Sequence, residues 1–124
     1  IKMIIKIKGA DRTVLCTDSL EIAGTDITEG VMSGTAFIVE DGVCKLRDRS
    51  AFAGSIATTD RLVRVMTKEC GFDMVTAVKS ITETPAKLLK IKKGRLATGY
   101  DADIAVFDDD VNVSAVFVNG KKEN

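Results

Sequence analysis

The spacing of apolar and polar positions changes character along the chain, and each change marks a different kind of element. Over residues 1–8, Lys6 and Lys8 alternate with apolar neighbours as in a strand, while Ile1, Ile4 and Ile5 also share a helical face. Either element would end at Gly9. Residues 13–17, Thr-Val-Leu-Cys-Thr, form a short β-branched and apolar run with little alternation, the pattern of a strand buried on both faces of a parallel sheet. Asp18 stands at its C-terminal end. Residues 19–34 carry Gly24, Gly30 and Gly34 among scattered polar residues and predict a long loop of the kind that shapes a site.

Two apolar runs, 36–40 and 43–46, flank Asp41-Gly42, a hairpin signal because a type I′ turn needs positive φ at both central residues. Residues 51–55, Ala-Phe-Ala-Gly-Ser, predict a small-residue loop leading into a helix. Thr58 or Thr59 can cap that helix, Leu62, Val63, Met66 and Cys70 form its inward stripe, and Gly71 ends it. Asp73 can cap a second helix with Met74, Val75, Val78 and Ile81 inward. Thr84-Pro85 has the form of an N-cap and first helical residue opening a third, with Ala86, Leu88 and Leu89 inward. After Gly94 and Gly99 the period changes again: residues 104–107 and 113–119, separated by Asp108-Asp109-Asp110, predict two antiparallel strands. The chain therefore runs from α/β into a small β tail.

Composition narrows the class. The chain has 124 residues, 45% hydrophobic and 29% charged, with 18 basic and 18 acidic side chains, which is the make-up of a soluble globular protein. A balanced charge favours neither nucleic acid nor an anionic membrane. No apolar run is long enough to cross a bilayer and no signal peptide is visible, so a cytoplasmic location is expected. Cys16, Cys44 and Cys70 fit neither a disulfide framework nor a metal-binding pair and read as reduced core thiols. The absence of histidine excludes a Cys–His nucleophile, and a zinc site made of three cysteines would need a fourth ligand.

Asp18 is the leading candidate for chemistry, because parallel α/β folds place their sites beyond the C-terminal ends of strands. Its carboxylate could ligate a metal or act as a base; equally, it could satisfy the backbone N–H groups of Ser19 and Leu20 in a turn. Phe52-Ala53-Gly54-Ser55 precedes a helix start, where small residues let backbone N–H groups approach an anion or a sugar ring, or simply allow a tight connection. Arg61, Arg64 and Lys68 recur on one helix side and read as a solvated face. Asp101 and Asp103 resemble a paired carboxylate but flank a turn, where capping is their expected role; Asp108 to Asp110 read as a solvated turn.

Taken in order, Val-Leu-Cys-Thr-Asp-Ser (14–19), the Asp-Gly hairpin, Ala-Phe-Ala-Gly-Ser (51–55), Thr-Pro-Ala (84–86) and Lys-Gly-Arg-Leu with Gly-Tyr-Asp-Ala-Asp (93–103) resemble the N-acetylglucosamine-6-phosphate deacetylases of the amidohydrolase superfamily. The tail motif alone is similar across the superfamily; the hairpin followed by Ala-Gly-Ser and a Thr-rich helix start resembles the deacetylase branch. The resemblance implies an α/β chain that is the C-terminal fragment of a metal-dependent (β/α)₈ TIM barrel, with residues 1–92 in the barrel and 93–124 in strands of the accompanying small β-sandwich. It implies that Asp18 ends the eighth barrel strand as general base and then general acid. It also implies that Phe52, Ala53 and Gly54 line the sugar pocket. The implied substrate is an amino-sugar phosphate, deacetylated with the help of a divalent zinc or iron ion whose ligands lie mostly outside this chain.

The chain opens on Ile1, so a portion of a longer enzyme is expected, inactive by itself. An opened barrel exposes strand edges and part of its core, and a homo-oligomer is expected. Two other readings stand beside this one: a cyclic amidase or deaminase of the same superfamily, and a non-catalytic structural or interaction module in which Asp18 only caps a turn.

Overall fold

The computed structural model describes residues 1–123. The chain forms two compact units, one made of residues 17–59 and the other of residues 1–16 together with the segment from Asp60 onward. It is mixed α/β, with two small antiparallel sheets of four and three strands.

The 17–59 unit is built on a four-stranded antiparallel sheet in sequential order. Its strands are β1 (Glu29–Met32), β2 (Thr35–Glu40), β3 (Val43–Leu46) and β4 (Phe52–Gly54). Asp41 and Gly42 both have positive φ, 54° and 70°, as the hairpin reading requires. A second turn of the same kind, Ser33-Gly34, with φ of 48° and 80°, joins β1 to β2. The expected loop over 19–34 is thus a loop only as far as residue 28, because Gly30 breaks the apolar alternation of β1 and hides the strand. Residues 51–55 are likewise not a loop: Phe52 and Gly54 pair with Lys45 and Cys44 across a bulge. Ile22, Phe37 and Cys44 are buried as the core, with Leu20, Met32, Val39, Ala53 and Ile56 packed around them.

In the other unit the ambiguous first segment is a helix, α1 (Lys2–Lys8), ended by Gly9. Residues 13–17 are extended but unpaired, and only Thr13 is buried, with Leu15 half-buried and Val14 and Cys16 exposed. The Leu15 N–H donates to the Ser80 carbonyl (3.0 Å). The expectation of a strand buried on both faces fails here because a parallel strand needs a neighbour on each side, and no described strand pairs with these residues. Cys16 is accordingly no core thiol; Cys44 is buried and Cys70 half-buried.

Helix α2 (Thr59–Arg64) widens into a π turn over Val65–Glu69, where the Cys70 N–H reaches the Val65 carbonyl at 2.9 Å. Helix α3 (Met74–Ile81) is capped by Asp73, whose carboxylate accepts the Thr76 N–H at 2.9 Å. Its inward stripe is Met74, Ala77, Val78 and Ile81, the helical period counted from 74. Val75 lies off that stripe and is 61% exposed. Helix α4 (Glu83–Leu89) starts two residues earlier than expected, with Thr82 at the N-cap and Pro85 as its third residue, where the missing N–H has no helical partner to lose. Ala86 is buried, whereas Leu88 and Leu89 are 72% and 67% exposed, not inward.

The tail forms β5 (Ile104–Phe107), β6 (Val113–Val118) and a short β7 (Lys121–Lys122), antiparallel in that order. The expected β5–β6 pair is present, with Ile104 opposite Phe117; β7 follows a turn at Asn119-Gly120, both of positive φ. Asp108 organises the acidic turn: its carboxylate accepts the N–H groups of Asp110 (2.9 Å) and Asn112 (2.8 Å) and the Asn112 side-chain amide (2.8 Å). These bonds, the Asn112 N–H first, hold its carboxyl below the usual carboxylate range. Val111 then turns inward against Val63, Met66 and Ala77. Arg64, expected on a solvated face, is half-buried and donates to the Val111 carbonyl at 2.8 Å and to Asp60.

Candidate functional site

Asp18 and residues 52–54 fall in the same unit, and the hydrogen bonds between their neighbours explain how. Asp18 is exposed and has a left-handed backbone, φ 49°, a region that aspartate tolerates better than most residues. Among the described residues, no hydrogen bond or ion pair reaches its carboxylate. The turn-capping alternative therefore finds no support in the geometry, since the Leu20 N–H goes instead to the Ser55 carbonyl at 2.9 Å. Ser19 and Ser55 form a single parallel bridge, and the Ser19 hydroxyl donates to the Ala57 carbonyl. The Leu20 side chain lies against Gly54 so closely that a Cβ there would stand 2.7 Å from Cδ1. Gly54 is thus a glycine because of packing within the site.

Residues 52–54 do not present a helix start, as α2 begins only at Thr59. They are an edge strand whose backbone is partly spent on the ladder to β3, with Phe52 75% exposed and Ala53 half-buried. Ala53 lines a cleft of about 280 Å³ together with Leu20, Met32, Ser33, Thr35 and Phe37. Four of these, Met32, Ser33, Thr35 and Phe37, come from the β1–β2 hairpin, and the sequence did not mark them as lining residues. Their signal was the Ser33-Gly34 dipeptide between apolar runs, a hairpin mark masked by the surrounding glycines.

No arrangement of three or more His, Cys, Asp or Glu side chains able to hold a metal ion exists among the described residues. A divalent metal does not fit on this chain's residues alone.

The tail motif forms a separate cluster. The Lys93 ammonium pairs with Asp101 at 2.9 Å and with Asp103, and Asp103 also accepts the Asn119 N–H at 2.9 Å. Lys93 foremost, then Asn119, holds the Asp103 carboxyl below its ordinary value, while Asp103 and Asp101 push Lys93 up. Gly94 packs onto the α3–α4 junction, and Arg95 lies 3.6 Å from Glu83. Asp103 holds an N–H of the distant Asn119 turn, not of the turn it flanks, and these contacts join one stretch of the chain to another.

A family model described as "Amidohydrolase family" matches residues 1–122. The chain belongs to the amidohydrolase family. Over 110 residues it is 34% identical to N-acetylglucosamine-6-phosphate deacetylase of Lysinibacillus sphaericus, a match covering 88% of this chain and 28% of that protein. It is 30% identical over 115 residues to N-acetylgalactosamine-6-phosphate deacetylase of Shewanella sp., covering 92% of this chain and 29% of the relative. The crystal structure of N-acetylglucosamine-6-phosphate deacetylase from Pasteurella multocida superposes with a TM-score of 0.90 at 28% identity, covering 98% of this chain and 32% of that one. The chain thus spans less than a third of the length of these amidohydrolases. No helix among the described residues is long and apolar enough to cross a membrane.

Proposed function

We propose that this chain is the C-terminal portion of an amidohydrolase that deacetylates an N-acetyl amino-sugar 6-phosphate, with Asp18 as its proton carrier. The observation that carries this reading is the Asp18 carboxylate itself, exposed and without a partner among the described residues, on a segment bridged to Ser55, directly after the strand that carries Phe52, Ala53 and Gly54. Water gives a proton to Asp18 as its oxygen adds to the amide carbonyl carbon. The C–N bond of the tetrahedral intermediate then breaks, and Asp18 returns the proton to the departing amine. The products are acetate and the amino-sugar 6-phosphate. Phe52, Ala53 and Gly54 form one wall of the sugar pocket.

On this reading residues 1–92 complete a (β/α)₈ barrel, residues 93–124 belong to a small β-sandwich, and the chain is inactive alone. The divalent metal implied by the resemblance, zinc or iron, would take its ligands mostly from outside this chain. Exposed Met3, Ile7, Leu88 and Leu96 support a larger assembly, a homo-oligomer of a cytoplasmic enzyme.

The test is Asp18→Asn in the complete enzyme, followed by acetate release from N-acetylglucosamine 6-phosphate. Loss of one general acid–base group lowers kcat by about 10²–10⁴-fold. Retained activity refutes the role. The Shewanella relative favours a second reading in which the sugar is the galactosamine epimer, and parallel assays of both epimers decide between them.

A further inference from the structure

We infer that Ser19 is a positioning residue that sets the direction of the Asp18 carboxylate through its hydroxyl bond to the Ala57 carbonyl; this rests on the reading of Asp18 as proton carrier. Among the described residues the side chain of Asp18 has no partner to orient it, so its direction is set by the backbone that carries it. That backbone is left-handed at residue 18, and on its C-terminal side it is tied at Ser19 and Leu20. The Ser19 hydroxyl donates to Ala57, the Leu20 N–H donates to the Ser55 carbonyl at 2.9 Å, and the Leu20 side chain packs on Gly54. The far side of this clamp is itself fixed, because the Ala57 N–H donates to the Ser55 hydroxyl at 3.1 Å.

The clamp therefore joins residues 19–20 to residues 54–57, the stretch that follows Phe52 and Ala53 directly. It holds the proton carrier and the sugar-lining strand in one register. Ser19 is exposed, so removing its hydroxyl leaves the Ala57 carbonyl within reach of water and does little to the fold. What is lost is the angular restraint on the residue before it. A displacement of about 1 Å at a reacting group can lower a rate by about 10²-fold.

The experiment compares Ser19→Ala, Ser19→Thr and Asp18→Asn in the complete deacetylase, with kcat, KM and thermal midpoint measured for each. Ser19→Ala is expected to lower kcat by about 10- to 100-fold while KM and the midpoint stay close to the parent, since only orientation is disturbed. Ser19→Thr keeps the hydroxyl and is expected to restore most of kcat. A parent-like kcat for Ser19→Ala beside an inactive Asp18→Asn overturns the clamp and leaves the proton carrier standing. Equal impairment of the Ala and Thr variants, or a large fall in thermal midpoint for Ser19→Ala, also overturns it. An active Asp18→Asn variant overturns the underlying reading instead.

Discussion

Gly94 sits in the tail motif with φ 75°, and a Cβ at that position would stand 2.5 Å from the Thr82 carbonyl carbon and 2.7 Å from both the Thr82 oxygen and the Glu83 nitrogen. All three are backbone atoms at the junction of α3 and α4, so no side-chain rotation can relieve the overlap. Gly94→Ala therefore meets two penalties. Left-handed backbone at a residue bearing Cβ costs about 1–2 kcal/mol. Forcing an extra methyl into packed surroundings costs about 1–3 kcal/mol more. Together these reach about 2–5 kcal/mol, and unfolding entropy scaled to a chain of this length makes that a drop of about 8–20 °C in thermal midpoint. Gly99→Ala is the internal control, because Gly99 has φ 84° but nothing within 4 Å of its would-be Cβ. It should suffer the backbone penalty alone, about 1–2 kcal/mol. Urea unfolding of the two variants, read as midpoints at unchanged slope, isolates the overlap as their difference. Equal destabilisation by the two substitutions would refute the close approach of the tail to the helix junction.

Phe37 is 3% exposed at the centre of the 17–59 core, and Phe37→Ala should cost about 3–5 kcal/mol by urea titration. Thiol labelling under native conditions should modify Cys16 first and Cys70 slowly, with Cys44 reacting only on unfolding; early reaction of Cys44 would contradict its burial. The Asp103 carboxyl is held low by Lys93 and the Asn119 N–H, so its contribution to stability is complete above the unfolded value of about 3.9 and is lost as pH falls through the lower folded value. Lys93 is raised by Asp103 and Asp101, so its contribution is complete below about 10.4 and is lost as pH rises through the higher folded value. Lys93→Met should flatten both limbs of a plot of urea midpoint against pH, and unchanged limbs would count against the cluster.

Elements whose signal is local were legible in the sequence. Asp41-Gly42 announced its hairpin, Asp73 its cap and residues 104–107 and 113–118 their pairing, because turn, cap and alternation are each set within a few residues. Elements defined by distant partners were not. Residues 13–17 have the composition of a buried strand, yet strand status depends on neighbours that the described residues lack. Leu88 and Leu89 occupy apolar helical positions, but their side chains meet solvent because nothing described packs on that face. Asp18 and Ala53 stand out in the sequence as candidates, and the structure puts Ala53 in the cleft, while Met32, Ser33 and Thr35 beside it were hidden because Gly30, Ser33 and Gly34 made a hairpin look like loop.

The tail motif and the residues offered for the chemistry belong to different units, and their physics differs accordingly. Lys93, Gly94, Asp101 and Asp103 fasten one stretch of the chain to another: an ammonium shared by two carboxylates, a glycine where only a hydrogen fits, a carboxylate holding a turn N–H. Each of these requirements is satisfied inside the chain, as a structural motif needs. Asp18 is the opposite case, a carboxylate on left-handed backbone that engages nothing among the described residues while Ser19 and Leu20 after it are engaged. A structural residue is explained by its partners; Asp18 lacks one among the described residues, and that is the property a proton carrier needs if its partner is a substrate.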